Sequence, residues 1–302
     1  MRKGQRFTPV RLRRWQESGR GTGALGDYQP WHQVTRADPS SRGRSHLVNG
    51  HYDRLHHLLS DAELEAFGFA TMLPALDDLR EQFRLPTEDG IAQDEIRHQP
   101  ISAGWSEGTL SIARCLGFKH PVLRKGDDSE PWVMTTDLVL RLMMPNGAPE
   151  LLAVSVKLSS ELANARTLEL LAIEREYWRR RGAQWLLLTE QLYEKSAGHA
   201  IRAGLLWSLG QPRATQRHLE LCAGLKSELA GRTLQQALDC IQERIGVDHG
   251  TAQSILWQSV WRGGTPIDLT KPIRAAFTLE MLTPASFWQQ NPIAARRTAW
   301  AR

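Results

Sequence analysis

Two short stretches of the chain decide its fold: Met134-Thr135-Thr136-Asp137-Leu138-Val139 and, 18 residues beyond Asp137, Ser155-Val156-Lys157. Each has the composition of a β-strand, and the turn signal Pro145-Asn146-Gly147 lies between them. Because side chains alternate along a strand, Ser155 and Lys157 share one face. The pattern predicts two adjacent strands that bring an aspartate and a lysine side by side.

The flanking segments complete an α/β unit with a mixed sheet. Ser60-Asp61-Ala62-Glu63 matches the capping box that starts a helix, in which a hydroxyl and a carboxylate satisfy free N–H groups. Strands are predicted at 76–85, 133–142, 151–158 and 185–189, and a helix at 166–181. The order is therefore helix, strand, hairpin of two strands, helix and strand.

A domain boundary is predicted at 198–212, where glycines and a proline interrupt the pattern. Beyond it, helical spacing of apolar residues predicts helices at 233–246 and 251–262. Alternating apolar and polar residues at 267–281 predict a strand hairpin. Two helices joined by a tight turn and followed by a hairpin indicate a winged helix-turn-helix domain and tail over 199–302.

The composition is that of a folded protein, with 41% hydrophobic and 24% charged residues in a chain of 302. A net charge of +5 is compatible with nucleic-acid binding but does not decide it. No apolar run approaches the roughly 18 residues that a membrane span needs. The basic segment 1–50 is expected to be extended or loop-like, and it lacks the apolar stretch of a signal peptide. We expect a cytoplasmic protein.

The cysteines and histidines do not predict a zinc site or a disulfide framework. Cys115, Cys222 and Cys240 are odd in number and far apart in the sequence. His56 and His57 are adjacent, so they point in different directions, and no cysteine lies near them in the sequence. Packing or contact with DNA phosphate is the better interpretation of these two histidines.

Carboxylates and a lysine suit the hydrolysis of a phosphodiester. The reaction needs charge on the phosphate and leaving oxygens to be neutralised and a water to be made nucleophilic, and a divalent cation does both. Mg²⁺ typically takes one or two protein carboxylates together with waters and phosphate oxygens. A nearby lysine can orient or deprotonate the water and stabilise the developing charge. By itself, however, an aspartate followed by a lysine at this spacing is a weak signature.

More specific stretches of sequence occur in a fixed order along residues 18–190. They are Tyr28-Gln29-Pro30-Trp31, residues 41–46 (SRGRSH), 54–63 (RLHHLLSDAE), 79–83 (LREQF), 117–122 (GFKHPV), Thr136-Asp137, 166–169 (RTLE) and 174–178 (EREYW). In these stretches the chain resembles the TnsA-like endonuclease subunits of heteromeric cut-and-paste transposases. The resemblance implies a restriction-endonuclease-like fold with the endonuclease catalytic domain at 51–198. The C-terminal part resembles the family only in outline.

The resemblance also implies a set of active-site residues. Catalytic positions of the family fall on Glu63, Asp137 and Lys157, with Glu63, Asp137 and the backbone carbonyl of Val156 as ligands of Mg²⁺ or, alternatively, Mn²⁺. Ser155 stands where the family usually has glutamine, and because its oxygen reaches less far, a water would bridge it to the metal. Glu174 aligns with a family glutamate and has two open interpretations, support of the metal ligands or a surface ion pair.

Candidate DNA contacts come from basic and histidine side chains that can follow phosphates. The set comprises Arg42, Arg44, His46, Arg54, His57 and Lys119. The second helix of the predicted helix-turn-helix is not strongly basic, and Trp257 and Trp261 lie one turn apart, as residues of a packed core or of a protein interface do. Sequence-specific reading by this chain alone is therefore not expected.

The family resemblance implies a magnesium-dependent endonuclease that hydrolyses the phosphodiester at the 5′ transposon ends. Its implied partners are transposon-end DNA, a DDE-type (TnsB-like) transposase subunit and an AAA+ (TnsC-like) ATPase regulator, in the bacterial cytoplasm and at the nucleoid when active. The alternative is a catalytically inactive DNA-binding and assembly subunit, which only Ser155 favours. An ordinary restriction-type enzyme would need a base-reading surface, and the sequence offers no clear one.

Overall fold

The computed structural model describes residues 7–36, 38, 44–91 and 105–300. It divides into two compact units. The first comprises the chain up to Leu64 together with Ala75–Thr189, and the second comprises Glu65–Pro74 and Glu190–Ala301. Within the described residues, no helix has the length and apolar character needed to cross a membrane.

The helices and strands are numbered in chain order. The helices are α1 (Pro9–Glu17), α2 (Asp61–Thr71), α3 (Thr109–Cys115), α4 (Ala165–Arg180), α5 (Lys195–Leu209), α6 (Gln216–Gly224), α7 (Lys226–Leu229), α8 (Leu234–Ile245), α9 (His249–Trp261) and α10 (Pro284–Gln289). The strands are β1 (His46–Asn49), β2 (Leu55–Leu58), β3 (Leu76–Arg84), β4 (Gly90–Ile91), β5 (Trp105–Ser106), β6 (Val122–Lys125), β7 (Asp128–Pro131), β8 (Thr135–Met143), β9 (Pro149–Val156) and β10 (Gln184–Leu188).

A four-stranded mixed sheet forms the centre of the first unit, as the sequence predicted. Its strand order is β10-β9-β8-β3, with β10 parallel to β9 and the other neighbours antiparallel. Leu138 of β8 lies opposite Glu81 on one side and opposite Val154 on the other. This register places Gln82, Asp137 and Ser155, the neighbours of these three residues, at the same end of the sheet, where the candidate site lies.

The helix α4 covers the sheet and carries one residue of the site. Asn164 caps its N-terminus by accepting from the N–H groups of Arg166 and Thr167, and Gly182, with φ +68°, follows its C-terminus. Tyr177 and Trp178 are almost fully buried, which fixes α4 to the sheet through large apolar side chains. The helix predicted at 166–181 is therefore present with nearly the same bounds.

The N-terminal segment is not entirely extended, contrary to the sequence prediction. Thr8 caps the helix α1 by accepting from the N–H of Arg11, and Pro9 occupies its first turn. Leu12 and Trp15 of this helix are buried against Trp31. The apolar face of α1 is hard to recognise in the sequence among the basic residues of the helix, because two apolar side chains give only a weak periodic signal in a short segment.

The second unit is built mainly from helices, and the predicted winged helix-turn-helix is not confirmed. The helices α8 and α9 do follow each other through a tight turn at Gly246, which adopts φ +78°. Among the described residues 267–281, however, only isolated bridges form, Ile267 with Met281 and Thr278 with Thr233, rather than a strand hairpin. The proline at 272 lacks a backbone donor and limits strand pairing there.

The helix α9 is a core helix of the second unit and not a reading helix. Every residue from Ser254 to Trp261 is buried, and Trp257 and Trp261 contact each other edge to face at 6.3 Å. A helix segment that is buried on every side belongs inside a fold. This agrees with the packing role that the sequence predicted for the two tryptophans.

Substitution of Trp15 tests the packing of α1. Trp15 is 5% exposed and packs edge to face on Trp31 at 5.7 Å, so we expect Trp15→Ala to lower the free energy of unfolding by about 3–5 kcal/mol. Val10→Ala, on the exposed face of the same helix, is the matched control and should change it by less than about 0.5 kcal/mol. Urea unfolding followed by circular dichroism measures both, and equal effects would contradict this packing.

Candidate active site

Asp137 and Lys157 lie side by side at the end of the sheet. The carboxylate oxygen Oδ2 of Asp137 accepts from the backbone N–H of Val156 at 2.7 Å and from Nζ of Lys157 at 3.2 Å. Nζ of Lys157 also donates to the carbonyl oxygen of Val156 at 2.8 Å. One strand end thus supplies a carboxylate and the next supplies an ammonium group and a backbone carbonyl, within hydrogen-bonding distance of each other.

Glu63 reaches the same region from the first turn of α2. Its Oε2 accepts from the backbone N–H of Leu59 at 2.9 Å, its Oε1 accepts from the hydroxyl of Ser60 at 3.2 Å, and its own N–H donates to Oγ of Ser60 at 3.1 Å. The capping role and the site role are therefore compatible in one side chain, because the cap fixes where the carboxylate points. Burial and the negative charge of Asp137 raise the pKa of Glu63 above its usual range.

Gln82 joins these two carboxylates, and it is a site residue that the sequence reasoning missed. Its Nε2 donates to Oε2 of Glu63 at 3.0 Å and to Oδ1 of Asp137 at 3.4 Å. In the sequence, the stretch 79–83 stands out only for its resemblance to the family. A sequence signal exists, since Gln82 stands in a strand beside apolar residues, but register is needed to place it opposite Asp137.

The backbone of Gln82 is held in a conformation that costs energy. Its φ is +49°, which is uncommon for a residue with a side chain and costs of order 1–3 kcal/mol. The carbonyl oxygen of Gln82 accepts from the backbone N–H of Trp31 at 3.1 Å. The N-terminal segment therefore holds this part of β3 from outside the sheet.

Glu174 lies behind Asp137 and is buried rather than paired on the surface. Its Oε1 accepts from the hydroxyl of Thr136 at 2.7 Å and from the hydroxyl of Ser155. Trp178 and Trp185 in turn donate their indole N–H groups to Thr136 and Ser155 at 2.8 and 2.9 Å. This geometry favours the supporting role over the ion pair that the sequence had left open.

The hydroxyl of Ser155 is engaged with protein partners in this structure. Its Oγ donates to Glu174 and accepts from Trp185, so the hydroxyl is committed to the network around Glu174. The short side chain ends there and makes no hydrogen bond to Asp137. Ser155 thus orients a carboxylate next to the site, and its water-bridged contact with a metal stays a prediction.

The site places three carboxylates around one ammonium group, that of Lys157. Burial raises the pKa of Glu174, and the charge of Asp137 raises it further. Burial alone would lower the pKa of Lys157, but the carboxylates of Asp137, Glu174 and Glu63 outweigh it and hold that pKa above its ordinary value. Lys157 is therefore an ammonium group at neutral pH, able to donate and to stabilise negative charge.

The donor set fits a hard divalent cation that also takes oxygen atoms from elsewhere. Glu63, Asp137 and the carbonyl of Val156 are oxygen donors, the class that Mg²⁺ prefers. In the part of the chain that the structure describes, no cluster of three or more histidine, cysteine, aspartate or glutamate side chains is arranged to hold a metal ion. Waters and phosphate oxygens would complete the coordination, as is usual for Mg²⁺.

The structure separates the predicted DNA contacts into exposed and engaged side chains. Arg44 and Lys119 are exposed, whereas Arg42 lies outside the described residues. Nε2 of His46 lies 2.7 Å from Oδ1 of Asp61. His57 is half-buried, and its Nδ1 accepts from the N–H of Val34 at 2.9 Å. Burial lowers the pKa of His57, which disfavours its positively charged form. Arg44 and Lys119 remain the side chains best placed to meet phosphate.

Arg54 has a structural position instead of the DNA contact predicted for it. It is 8% exposed, and its two terminal nitrogens each lie 2.7 Å from an oxygen of Glu81. His56, which is fully buried, places Nδ1 at 3.0 Å from the same carboxylate. A guanidinium group that binds a buried carboxylate in this bidentate way is not offered to phosphate.

Substitution of Glu81 tests this buried ion pair. Burial would raise the pKa of Glu81, but hydrogen bonds from His56 and Arg54 outweigh it and lower the pKa to about 2. The carboxylate therefore stabilises the fold fully above its ordinary value of 4.5, and the stabilisation is lost as the pH falls from there towards 2. We expect Glu81→Gln to lower the free energy of unfolding by about 3–5 kcal/mol at pH 7.

The matched control is Glu169→Gln, which removes a half-exposed carboxylate paired with Arg166 on α4 and should cost less than about 1 kcal/mol. Urea unfolding between pH 7 and 3 measures all three proteins. The difference between the parent and Glu81→Gln should shrink as the pH falls through 4.5. A difference that stays constant over this range would contradict the assigned charge of Glu81.

Comparison with known proteins relates this chain to one family and to one transposition protein. Residues 94–190 match the family described as TnsA-like endonuclease N terminal, a range that includes Asp137, Lys157 and Glu174. The chain is also 36% identical, over 202 residues, to the transposon Tn7 transposition protein TnsA of Escherichia coli. That match covers 67% of this chain and 63% of the relative, so the chain spans a little under two thirds of the relative's length. By these matches the chain belongs to the TnsA-like proteins and contains a TnsA-like endonuclease N-terminal domain.

Proposed function

We propose that this chain is a Mg²⁺-dependent DNA endonuclease subunit of a heteromeric transposase, with Mn²⁺ as an alternative cation. The observation that carries the proposal is the convergence of Glu63, Asp137 and Lys157, from a helix and two neighbouring strands, on one end of the sheet. Two carboxylates linked by one amide and an adjacent ammonium group suit phosphodiester hydrolysis.

Each residue has a definite task in this proposal. Glu63 and Asp137, with the carbonyl of Val156, would hold the cation, which when bound neutralises phosphate charge and lowers the pKa of water. Lys157 keeps its proton, so it donates a hydrogen bond and stabilises charge that develops on the phosphate.

The proposed substrate is the end of a transposon, cut at the strand that ends 5′. The transposon end is supported by the likeness to a relative whose name is that of a Tn7 transposition protein, and the 5′ strand is what the resemblance of the sequence to TnsA-like subunits implies. The proposed partners are a DDE-type (TnsB-like) transposase subunit, which processes the 3′ strands, and an AAA+ (TnsC-like) ATPase regulator. Burial of α9 supports a division of labour in which partners choose the site, since the second helix of the predicted helix-turn-helix is inside the fold.

An inactive assembly subunit is the less favoured alternative. It rested on Ser155, which replaces the glutamine that the family usually has. The hydroxyl of Ser155 binds Glu174, and the contacts among Glu63, Asp137 and Lys157 do not depend on it. The presence of Ser155 in place of glutamine therefore gives no reason to expect a loss of nuclease activity.

Strand-specific nicking is the direct test of the proposed activity. Transposon-end DNA labelled on either strand is incubated with the full chain, the cognate transposase subunit and Mg²⁺, and we expect cleavage of the 5′-ending strand that stops with EDTA. Asp137→Asn should reduce nicking to background, because it removes a ligand charge. Lys157→Met should slow nicking by about 100- to 1,000-fold, the usual cost of losing one charge-stabilising donor.

Matched controls are Asp127→Asn and Lys125→Met, which change exposed residues of the same unit and should nick at the parent rate. Assembly with the transposase subunit on DNA is measured in parallel by gel shift. Loss of nicking with intact assembly, in the two site variants alone, supports the assignment. A parent protein that assembles on the ends but never nicks, with either Mg²⁺ or Mn²⁺, would instead favour the assembly subunit.

The proposed DNA contacts have their own test. Arg44→Ala and Lys119→Ala should each weaken DNA binding at every sequence and reduce the slope of log affinity against log salt by about 1, since each removes one phosphate contact. Lys226→Ala, an exposed lysine of the second unit, is the control. Fluorescence anisotropy between 50 and 200 mM salt measures the slopes, and unchanged slopes in both variants would remove these residues from the DNA surface.

A further inference from the structure

Gln82 is a buried amide in a strained backbone at the centre of the site. It is 2% exposed and adopts φ +49° within β3. Its carbonyl oxygen accepts from the N–H of Trp31 at 3.1 Å and from the hydroxyl of Tyr28 at 3.5 Å. Such backbone conformations persist only where the surroundings fix them, and they are concentrated at functional sites.

The other hydrogen-bond donors to Glu63 and Asp137 each contact only one of the two carboxylates. Glu63 receives the N–H of Leu59 and the hydroxyl of Ser60, both from its own helix start. Asp137 receives Val156 and Lys157, both on Oδ2. Only Nε2 of Gln82 makes hydrogen bonds to both side chains among the described contacts, to Oε2 of Glu63 and Oδ1 of Asp137.

We propose that Gln82 is the positioning residue of the metal site, whose side-chain amide holds Glu63 and Asp137 together in the orientation that a divalent cation requires. The proposal rests on the proposed function, because the cation is part of it. Gln82 acts through the two carboxylates and touches neither the phosphate nor the water.

The chemistry of an amide suits this task. Two buried carboxylates repel each other, so without a shared donor they would turn apart or one would take up a proton. A lysine or arginine between them would cancel their charge and compete with the cation. The neutral N–H groups of an amide relieve the repulsion without adding a positive charge that would compete with the metal. Groups that orient metal ligands typically contribute 10- to 100-fold in metal affinity.

Metal binding by the full chain, without DNA or partners, tests the inference. Mn²⁺ is the probe, with free Mn²⁺ measured by electron paramagnetic resonance. Gln82→Met keeps the length of the side chain and removes the donor, and we expect the dissociation constant for Mn²⁺ to rise by about 10- to 100-fold. Nicking by the same variant should need a correspondingly higher Mn²⁺ concentration and recover at saturation.

A second variant guards against a failure to fold. Glycine adopts positive φ without strain, so Gln82→Gly should keep the backbone conformation, melt at or near the parent temperature and show the same loss of Mn²⁺ affinity. The control is Asp53→Asn, which changes an exposed residue with φ +53° and should bind Mn²⁺ as the parent does. Melting is followed by circular dichroism.

The outcomes separate the two proposals. Weaker Mn²⁺ binding in both Gln82 variants, with melting preserved in Gln82→Gly, supports the positioning role. Parent-like or tighter binding in folded variants would overturn it while leaving the nuclease proposal intact, and tighter binding would mean that the amide competes with the cation. If the parent itself neither binds Mn²⁺ nor nicks, the proposed function fails and this inference fails with it.

Discussion

Three buried carboxylates face a single ammonium group at the end of the central sheet, and this excess of negative charge is the constraint on which the first unit depends. The carboxylates of Glu63, Asp137 and Glu174 all raise the pKa of Lys157. Burial raises the pKa values of Glu63 and Glu174. In a poorly solvated site, carboxylates remain ionised only if cations or N–H and O–H donors compensate them. The fold therefore has to deliver hydrogen-bond donors to each carboxylate from a separate element. A divalent cation would neutralise the negative charge that these donors leave uncompensated.

The donors come from structures that also define the fold. The start of α2 supplies the cap donors of Glu63, and the end of β9 supplies the backbone N–H that binds Asp137. Glu174 receives hydroxyl groups that are themselves fixed by the buried indoles of Trp178 and Trp185. Helix capping, strand pairing and aromatic packing are thus parts of one network. A substitution that disturbs any of them is expected to move a carboxylate as well as to weaken the fold.

Much of this arrangement could be predicted from the sequence, because it follows from local patterns. The mixed sheet, the helix α4 and the cap at Glu63 have short-range signals in periodicity and turn residues, and Asp137 and Lys157 follow from strand alternation. The other features are non-local. Nothing near Gln82 in the sequence reveals its positive φ, and the charge of Arg54 indicates a surface contact until its buried partner Glu81 is known. Pairing partners distant in sequence decide whether a polar residue is exposed, and single-sequence reasoning cannot supply them.

Glu81 and Gln82, adjacent on β3, link the N-terminal segment to the chemistry. Glu81 binds Arg54, whose guanidinium group lies 5.2 Å from the ring centre of Tyr28, and the hydroxyl of Tyr28 donates back to the carbonyl oxygen of Glu81 at 3.1 Å. Trp31 then holds the carbonyl of Gln82, so that its amide meets the two carboxylates. The buried ion pair and the anchored aromatic residues over-determine a strand conformation that would otherwise relax. The basic N-terminal segment, which was predicted to be extended or loop-like, and Arg54, which was predicted to contact DNA, therefore help to fix the strand residues that position the side chains of the candidate site.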